Sequence, residues 1–161
     1  MSTFKHRIVS KNPAQTKALG REIACFLKKG DVIGLFGELG SGKTTLAQSI
    51  IKALGVSEPY ILSPTFVLIR EYKGKFKIFH LDLYRLNFTQ ELLDLGYEDY
   101  VYNRQAVTII EWAQKIEKFL PKDYLKIELF NKTKLSRLIN IEGVGNCSKR
   151  AHFLLKKKLS T

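Results

Sequence analysis

Gly37, Gly42, Lys43 and Thr44 stand at the spacing G-x-x-x-x-G-K-[ST] within "GELGSGKTT", residues 37–45. The chemistry that needs those residue types in that order is phosphate binding. Gly37, Gly40 and Gly42 carry no side chain, so the backbone can bend sharply and approach a ligand closely. Successive N–H groups then form an anion nest. The positive end of a following helix adds to the attraction. In such a P-loop the lysine, Lys43, reaches the β- and γ-phosphates of a nucleotide, and the Thr44 hydroxyl can ligate Mg²⁺. The bland alternative is a glycine-rich turn before an ordinary helix. It requires a chance match, on the order of one in a few hundred at average glycine usage in a chain this long.

Two carboxylates are candidates to work beside that cradle. Asp82 lies in "HLDLYR". If the strand there continues to Tyr84, then Phe79, Leu81 and Leu83 face one way and His80, Asp82 and Tyr84 the other. A polar face at the end of a buried strand suggests a site. The competing reading is that Asp82 caps a turn or pairs with Arg85. Glu111 follows the apolar run "AVTII", at the carboxyl end of a strand, where ligands bind in open α/β sheets. A Walker B acid belongs there, holding Mg²⁺ directly or through water. Glu111 can ligate the metal or position the attacking water, and its competing reading is an exposed residue at a strand end.

The elements that would position these groups are legible from apolar spacing. "DVIGLF", residues 31–36, reads as a strand. After the cradle, Leu46, Ile50 and Leu54, with Ala47 and Ile51, form one helical face that stops at Gly55. Residues 13–28 form another helix, with Leu19, Ile23, Phe26 and Leu27 on its apolar side. Residues 65–72 and 75–84 read as two strands around the turn signal "KGK". Residues 87–101 look helical, with Asn87 as N-cap and Gln90 three residues later. "AVTII" reads as a buried central strand. "WAQKIEKFL" is a short helix closed by Pro121, residues 123–130 and 134–143 form a strand pair, and 148–159 reads as a basic helix.

The chain has 161 residues, 45% of them hydrophobic. That suits one globular domain with a sizeable core. No apolar run approaches the ~20 residues that span a bilayer, and the N-terminus shows no signal segment. Cys25 and Cys147 have no metal-site spacing and read as reduced thiols. The expected location is cytoplasmic, with no membrane partner. Lys+Arg number 27 against 15 Asp+Glu, a net charge of +12, which raises nucleic-acid binding. The lysines are scattered, however, apart from Lys149, Arg150, Lys156, Lys157 and Lys158 in the tail, and no nucleic-acid-binding signature accompanies them.

The ordered blocks "GELGSGKTT", "SPTF" at 63–66, "FHLDLYRL" at 79–86, "ELLDLGYEDY" at 91–100 and "IIEW" at 109–112 resemble the bacterial TsaE (YjeE) family across nearly the whole chain. One departure is Ala113, where that family often has proline after "EW". The tail beyond about Gly145 is less family-like. The resemblance implies a small P-loop ATPase with a mixed parallel/antiparallel sheet flanked by helices. The chain as a whole reads as one α/β domain, its P-loop ATPase part over 1–145 and 146–161 its basic helical tail, to which nothing is carried from the family. It implies action within the machinery that makes threonylcarbamoyladenosine in tRNA, beside the TsaD and TsaB subunits that perform the transfer, with tRNA met only indirectly. Hydrolysis of ATP to ADP would reset that complex between rounds. By matching position, Gly40, Ser41, Gly42, Lys43, Thr44 and Thr45 would hold the nucleotide, and Thr44 and Glu111 the Mg²⁺. Asp82 would serve hydrolysis, Thr65 would lie in a switch-like loop, and Trp112 near the site.

Two other readings stay open. A stand-alone P-loop nucleotide kinase needs an arginine-bearing lid, and after residue 113 the arginines are Arg137 and Arg150. An RNA-binding protein would use the basic tail.

Overall fold

Val32–Phe36 (β2) is apolar along its length and buried at every position, as a strand covered on both faces must be. It lies at the centre of the sheet. In the computed structural model, which describes residues 4–87, 89–146 and 150, seven strands form one sheet. They are β1 (Phe4–Ser10), β2, β3 (Ile69–Lys73), β4 (Lys77–Asp82), β5 (Ala106–Glu111), β6 (Tyr124–Asn131) and β7 (Arg137–Val144), in the order β1-β7-β6-β2-β5-β4-β3. The central strands β6, β2, β5 and β4 are mutually parallel. β1 and β7 are added antiparallel on one side, and β3 on the other.

Helices cover both faces. Helix α1 (Pro13–Ala24) starts at Asn12, whose side chain accepts from the Gln15 N–H at 3.0 Å, with Pro13 at its first position. Both features end orphaned donors where a helix begins. Helix α2 (Lys43–Ala53) buries Leu46, Ala47, Ile50 and Ile51 completely against Ile33, Leu35, Val107 and Ile109. Leu46, Ile50 and Ile51 each contribute about 1.5–3 kcal/mol by burial, so the helix that follows the cradle is anchored by its apolar stripe. The other face packs beneath α3 (Thr89–Asp94), α4 (Glu98–Val101) and a 3₁₀ segment, Ala113–Phe119. The result is the expected α/β single domain with a mixed sheet flanked by helices.

Local expectations need correcting. Residues 65–68 are turn rather than strand, and β4 stops at Asp82 rather than Tyr84. The long helix expected over 87–101 is two short ones, interrupted around Gly96. At its start Glu91, not Gln90, reaches back to the Asn87 N–H at 3.1 Å. β1 carries no strand signal of its own, because in "FKHRIVS" Lys5, His6 and Arg7 follow one another and break the apolar pattern at a half-exposed edge. The basic helix expected over 148–159 lies outside the described residues except Arg150, whose guanidinium pairs with Asp31.

Candidate functional site

β2 delivers the chain to the carboxyl edge of the sheet, and the loop 37–42 turns it back into α2. Gly37 has φ +144°, and a Cβ there would sit 2.5 Å from the Leu129 carbonyl oxygen. Gly42, at φ +100°, occupies the left-handed region just before α2. Side chains are disfavoured at both positions, which is the physical content of the motif. Gly40, Ser41, Gly42, Lys43, Thr44 and Thr45 line a cleft of 330 Å³ together with Thr65, Asp82, Tyr84, Glu111, Trp112 and Arg137. Gly37 stands behind that lining. Its carbonyl accepts from Lys43 Nζ at 2.7 Å.

Lys43 is only 4% exposed. Its ammonium also donates to the Glu38 carbonyl at 2.7 Å and lies 4.0 Å from the centre of the Trp112 ring. Burial lowers its pKa from the ordinary lysine value, and the charges of Glu111, Asp82 and Glu38 pull it partly back. Trp112 reaches that position because it takes φ +60° directly after Glu111. For a bulky residue this conformation is strained. The turn swings the indole back across the lysine.

The two carboxylates are both at the cleft and both buried, Asp82 at 3% and Glu111 at 1% exposure. They are side by side because β4 and β5 pair in parallel with Asp82 opposite Glu111. Glu111 Oε2 accepts from the Thr44 hydroxyl at 2.6 Å, and Oε1 lies 2.7 Å from His80 Nε2. With its proton on Nε2, His80 donates to Glu111. Asp82 Oδ2 accepts from the Thr65 hydroxyl at 2.6 Å and lies 3.4 Å from Ser63 Oγ, while Oδ1 accepts the Tyr84 N–H at 3.0 Å. Asp82 therefore caps the turn after β4 and faces the cleft at once. It does not pair with Arg85, whose guanidinium stacks on Phe66. Tyr84, expected on the polar strand face, lies in the turn with its ring 5.1 Å from Trp112.

Two residues lie outside the site expected from sequence, Arg137 in the cleft and His80 buried behind Glu111. Alternation puts His80 on the polar face, but its bond to Glu111 needs the register between neighbouring strands. Arg137 gave no local signal. It opens β7, and its Nε and Nη2 donate to the carbonyls of Ser41 and Gly40 at 3.0 and 3.1 Å. Its Nη1 is held by carbonyls of Thr133, Lys134 and Ser136.

Magnesium fits this donor set. It keeps several waters and takes few protein ligands, completing its shell with substrate phosphates. A hydroxyl held by a buried carboxylate, with a second carboxylate alongside, provides that partial shell. A larger groove of 590 Å³ opens beside the cleft and shares Thr45 with it, but Lys17, Arg21, Gln48, Lys52 and Tyr60 line it and no carboxylate does. Donor chemistry rather than volume distinguishes the two.

Known proteins share this chain's sequence and fold over most of its length. A family model described as "Threonylcarbamoyl adenosine biosynthesis protein TsaE" matches residues 10–139. The tRNA threonylcarbamoyladenosine biosynthesis protein TsaE of Bacillus subtilis is 40% identical over 147 residues, covering 91% of this chain and 89% of that protein. The protein of the same name from Treponema pallidum is 34% identical over 76% of this chain and 90% of its own length. The crystal structure of YdiB from Bacillus subtilis superposes with a TM-score of 0.82 at 31% identity, covering 98% of this chain and 99% of that one.

Proposed function

The chain belongs to the TsaE family, and from that premise we propose that it is the ATP-hydrolysing component of the assembly that makes threonylcarbamoyladenosine in tRNA. Its fold is that of a P-loop NTPase in that biosynthesis. The finer reading is that it binds ATP with Mg²⁺, hydrolyses it slowly alone, and resets the assembly of TsaD and TsaB between rounds.

The observation that carries this is the pair of buried acids in the cleft, where Glu111 holds the Thr44 hydroxyl and Asp82 holds the Thr65 hydroxyl. Lys43, already seated between two loop carbonyls, binds the β- and γ-phosphates. Thr44, with its proton given to Glu111, turns its lone pairs toward the cleft and would hold Mg²⁺. Both oxygens of Glu111 already have donors, which favours its acting through Thr44 or water over direct ligation. Mg²⁺, when bound, neutralises charge on the phosphate oxygens. Asp82 Oδ2 is the acceptor available to orient the attacking water once Thr65 turns to the nucleotide. Trp112 covers Lys43 and excludes water from it.

Arg137 has carbonyl partners on Nε, Nη1 and Nη2, so it braces the loop rather than serving as a lid, which weighs against a stand-alone kinase. Transition-state charge stabilisation from an added arginine is worth about 10³ to 10⁵ in rate, and a partner would supply it or order the 62–71 loop. No described helix is long and apolar enough to cross a membrane. A cytoplasmic location belongs to the same proposal. Residues 146–161 are read as a basic tail of the same domain.

The test is phosphate release from Mg·ATP by the full chain, alone and with its cognate TsaD and TsaB. Hydrolysis is slow alone and rises with both partners. Transfer of the γ-phosphate to a nucleoside monophosphate would establish the kinase reading instead.

A further inference from the structure

Among the described residues, two buried side-chain polar atoms make no hydrogen bond, Arg70 Nε and His80 Nδ1. They belong to residues paired directly opposite each other across β3 and β4. Both side chains project from the α2 face of the sheet. Tyr72 and Ile78, the pair two residues further along that register, lie in the core beneath α1 and α2, and alternate residues share a face. Directly opposed residues of an antiparallel pair hold their Cβ atoms about 4.5–5.5 Å apart. The two orphans are complementary. Arg70 Nε–H is a donor. His80 Nδ1 is an acceptor when the ring proton sits on Nε2, the arrangement that its 2.7 Å bond to Glu111 favours. Buried polar atoms in native proteins find partners, in protein or in ordered water.

We propose that Arg70 Nε–H is the donor to His80 Nδ1, directly or through one water, so that Arg70, His80, Glu111 and Thr44 form a single hydrogen-bonded relay in which Arg70 and His80 are positioning residues for the metal end of the cleft. Arg70 fixes the ring orientation and tautomer. His80 holds Oε1 of Glu111, and Glu111 in turn aims the Thr44 hydroxyl. Groups standing behind a metal's ligands act in this way on orientation and affinity. The relay also reaches the 63–68 loop. That loop ends at Leu68, whose carbonyl accepts the Asp82 N–H at 2.9 Å, and β3 begins at the next residue. The Thr65 loop thus runs straight into the strand that seats Arg70.

The inference rests on the reading of Thr44 and Glu111 as the Mg²⁺ end of the site, and the test separates the two. Arg70→Met, His80→Leu and His80→Gln are compared with the parent after circular dichroism has verified their folds. In the nucleotide-free parent labelled with ¹⁵N-histidine, the His80 ring carries its proton on Nε2. Its Nδ1 resonance moves toward that of a free imine nitrogen in Arg70→Met. In calorimetric titration of Mg²⁺ at saturating ATP, the half-saturating Mg²⁺ rises about tenfold in Arg70→Met and up to about 100-fold in His80→Leu. His80→Gln, whose amide places a donor where Nε2 stood, recovers most of the loss.

A proton on Nδ1, an Nδ1 resonance indifferent to Arg70→Met, or an unchanged Mg²⁺ requirement in His80→Leu overturns the relay. Should either Arg70→Met or His80→Leu fail to fold, the parent's ring resonances and His80→Gln still decide. A parent chain that binds no Mg·ATP would refute the functional reading, and the ring resonances would still decide the pairing of Arg70 with His80.

Discussion

Lys43 illustrates a functional side chain held against its own solvation. Burial lowers its pKa despite three nearby carboxylates, so its charged form is less favourable in the folded than in the unfolded chain. That cost is fully present below the folded pKa and is relieved as pH rises through it toward the ordinary lysine value. Lys43→Met should therefore abolish Mg·ATP binding by calorimetry yet melt no lower than the parent without nucleotide at neutral pH. Any advantage should shrink as the pH is raised into the lysine range. A lower melting temperature at neutral pH would show that its bonds to Gly37 and Glu38 outweigh desolvation. The two acids should separate cleanly by isosteric replacement. Asp82→Asn keeps nucleotide affinity and loses about 10² to 10⁴ in hydrolysis, the usual loss for a group handling a proton in the transition state. Glu111→Gln instead blunts the Mg²⁺ dependence of binding. Calorimetry with phosphate release distinguishes them, and parental hydrolysis by Asp82→Asn would leave Asp82 only its turn cap.

The cradle is built by two elements far apart in the chain, the β2–α2 loop and the β6–β7 hairpin whose Arg137 grips the carbonyls of Gly40 and Ser41. With those oxygens turned toward the guanidinium, the loop's shape is set from outside. Arg137→Ala should lower stability in urea by about 1.5–3 kcal/mol, the range for hydrogen bonds to charged groups, and weaken Mg·ATP binding at the same time. Unchanged affinity would mean that the loop holds itself. The same contrast explains what could be read without a structure. The cradle, α2, the buried strand ending at Glu111 and the polar face of β4 follow from local spacing, because each is decided within a few residues. Arg137, the His80–Glu111 bond and the Thr65–Asp82 bond depend on which strands lie beside which. Where local rules failed, as at β1 and at residues 65–68, the segment is an edge or a turn. There burial on one side no longer dictates a pattern.

Across the whole molecule, the charge of +12 invites attraction to any polyanion. Such attraction is sequence-independent and falls steeply with salt. Fluorescence anisotropy with labelled tRNA should show weak binding that disappears on raising the salt, without change in ATP hydrolysis. TsaD and TsaB together should stimulate hydrolysis under the same conditions. Salt-sensitive activation by RNA alone, with no response to the proteins, would shift the reading to the basic surface.

The antiparallel union of the first and last strands sets an order of events at synthesis. Phe4 lies opposite Gly143, and among the described residues β1 has no neighbour in the sheet except β7. A ribosome therefore releases a strand that waits, unpaired, until residues 137–143 have been made. The glycine loop emerges early as well but meets its arginine brace only when that last strand appears. A product truncated in β6 would carry the complete phosphate motif in its sequence and still lack the brace. The phosphate loop therefore takes its braced form only after β7 has paired, well after its own sequence has been made.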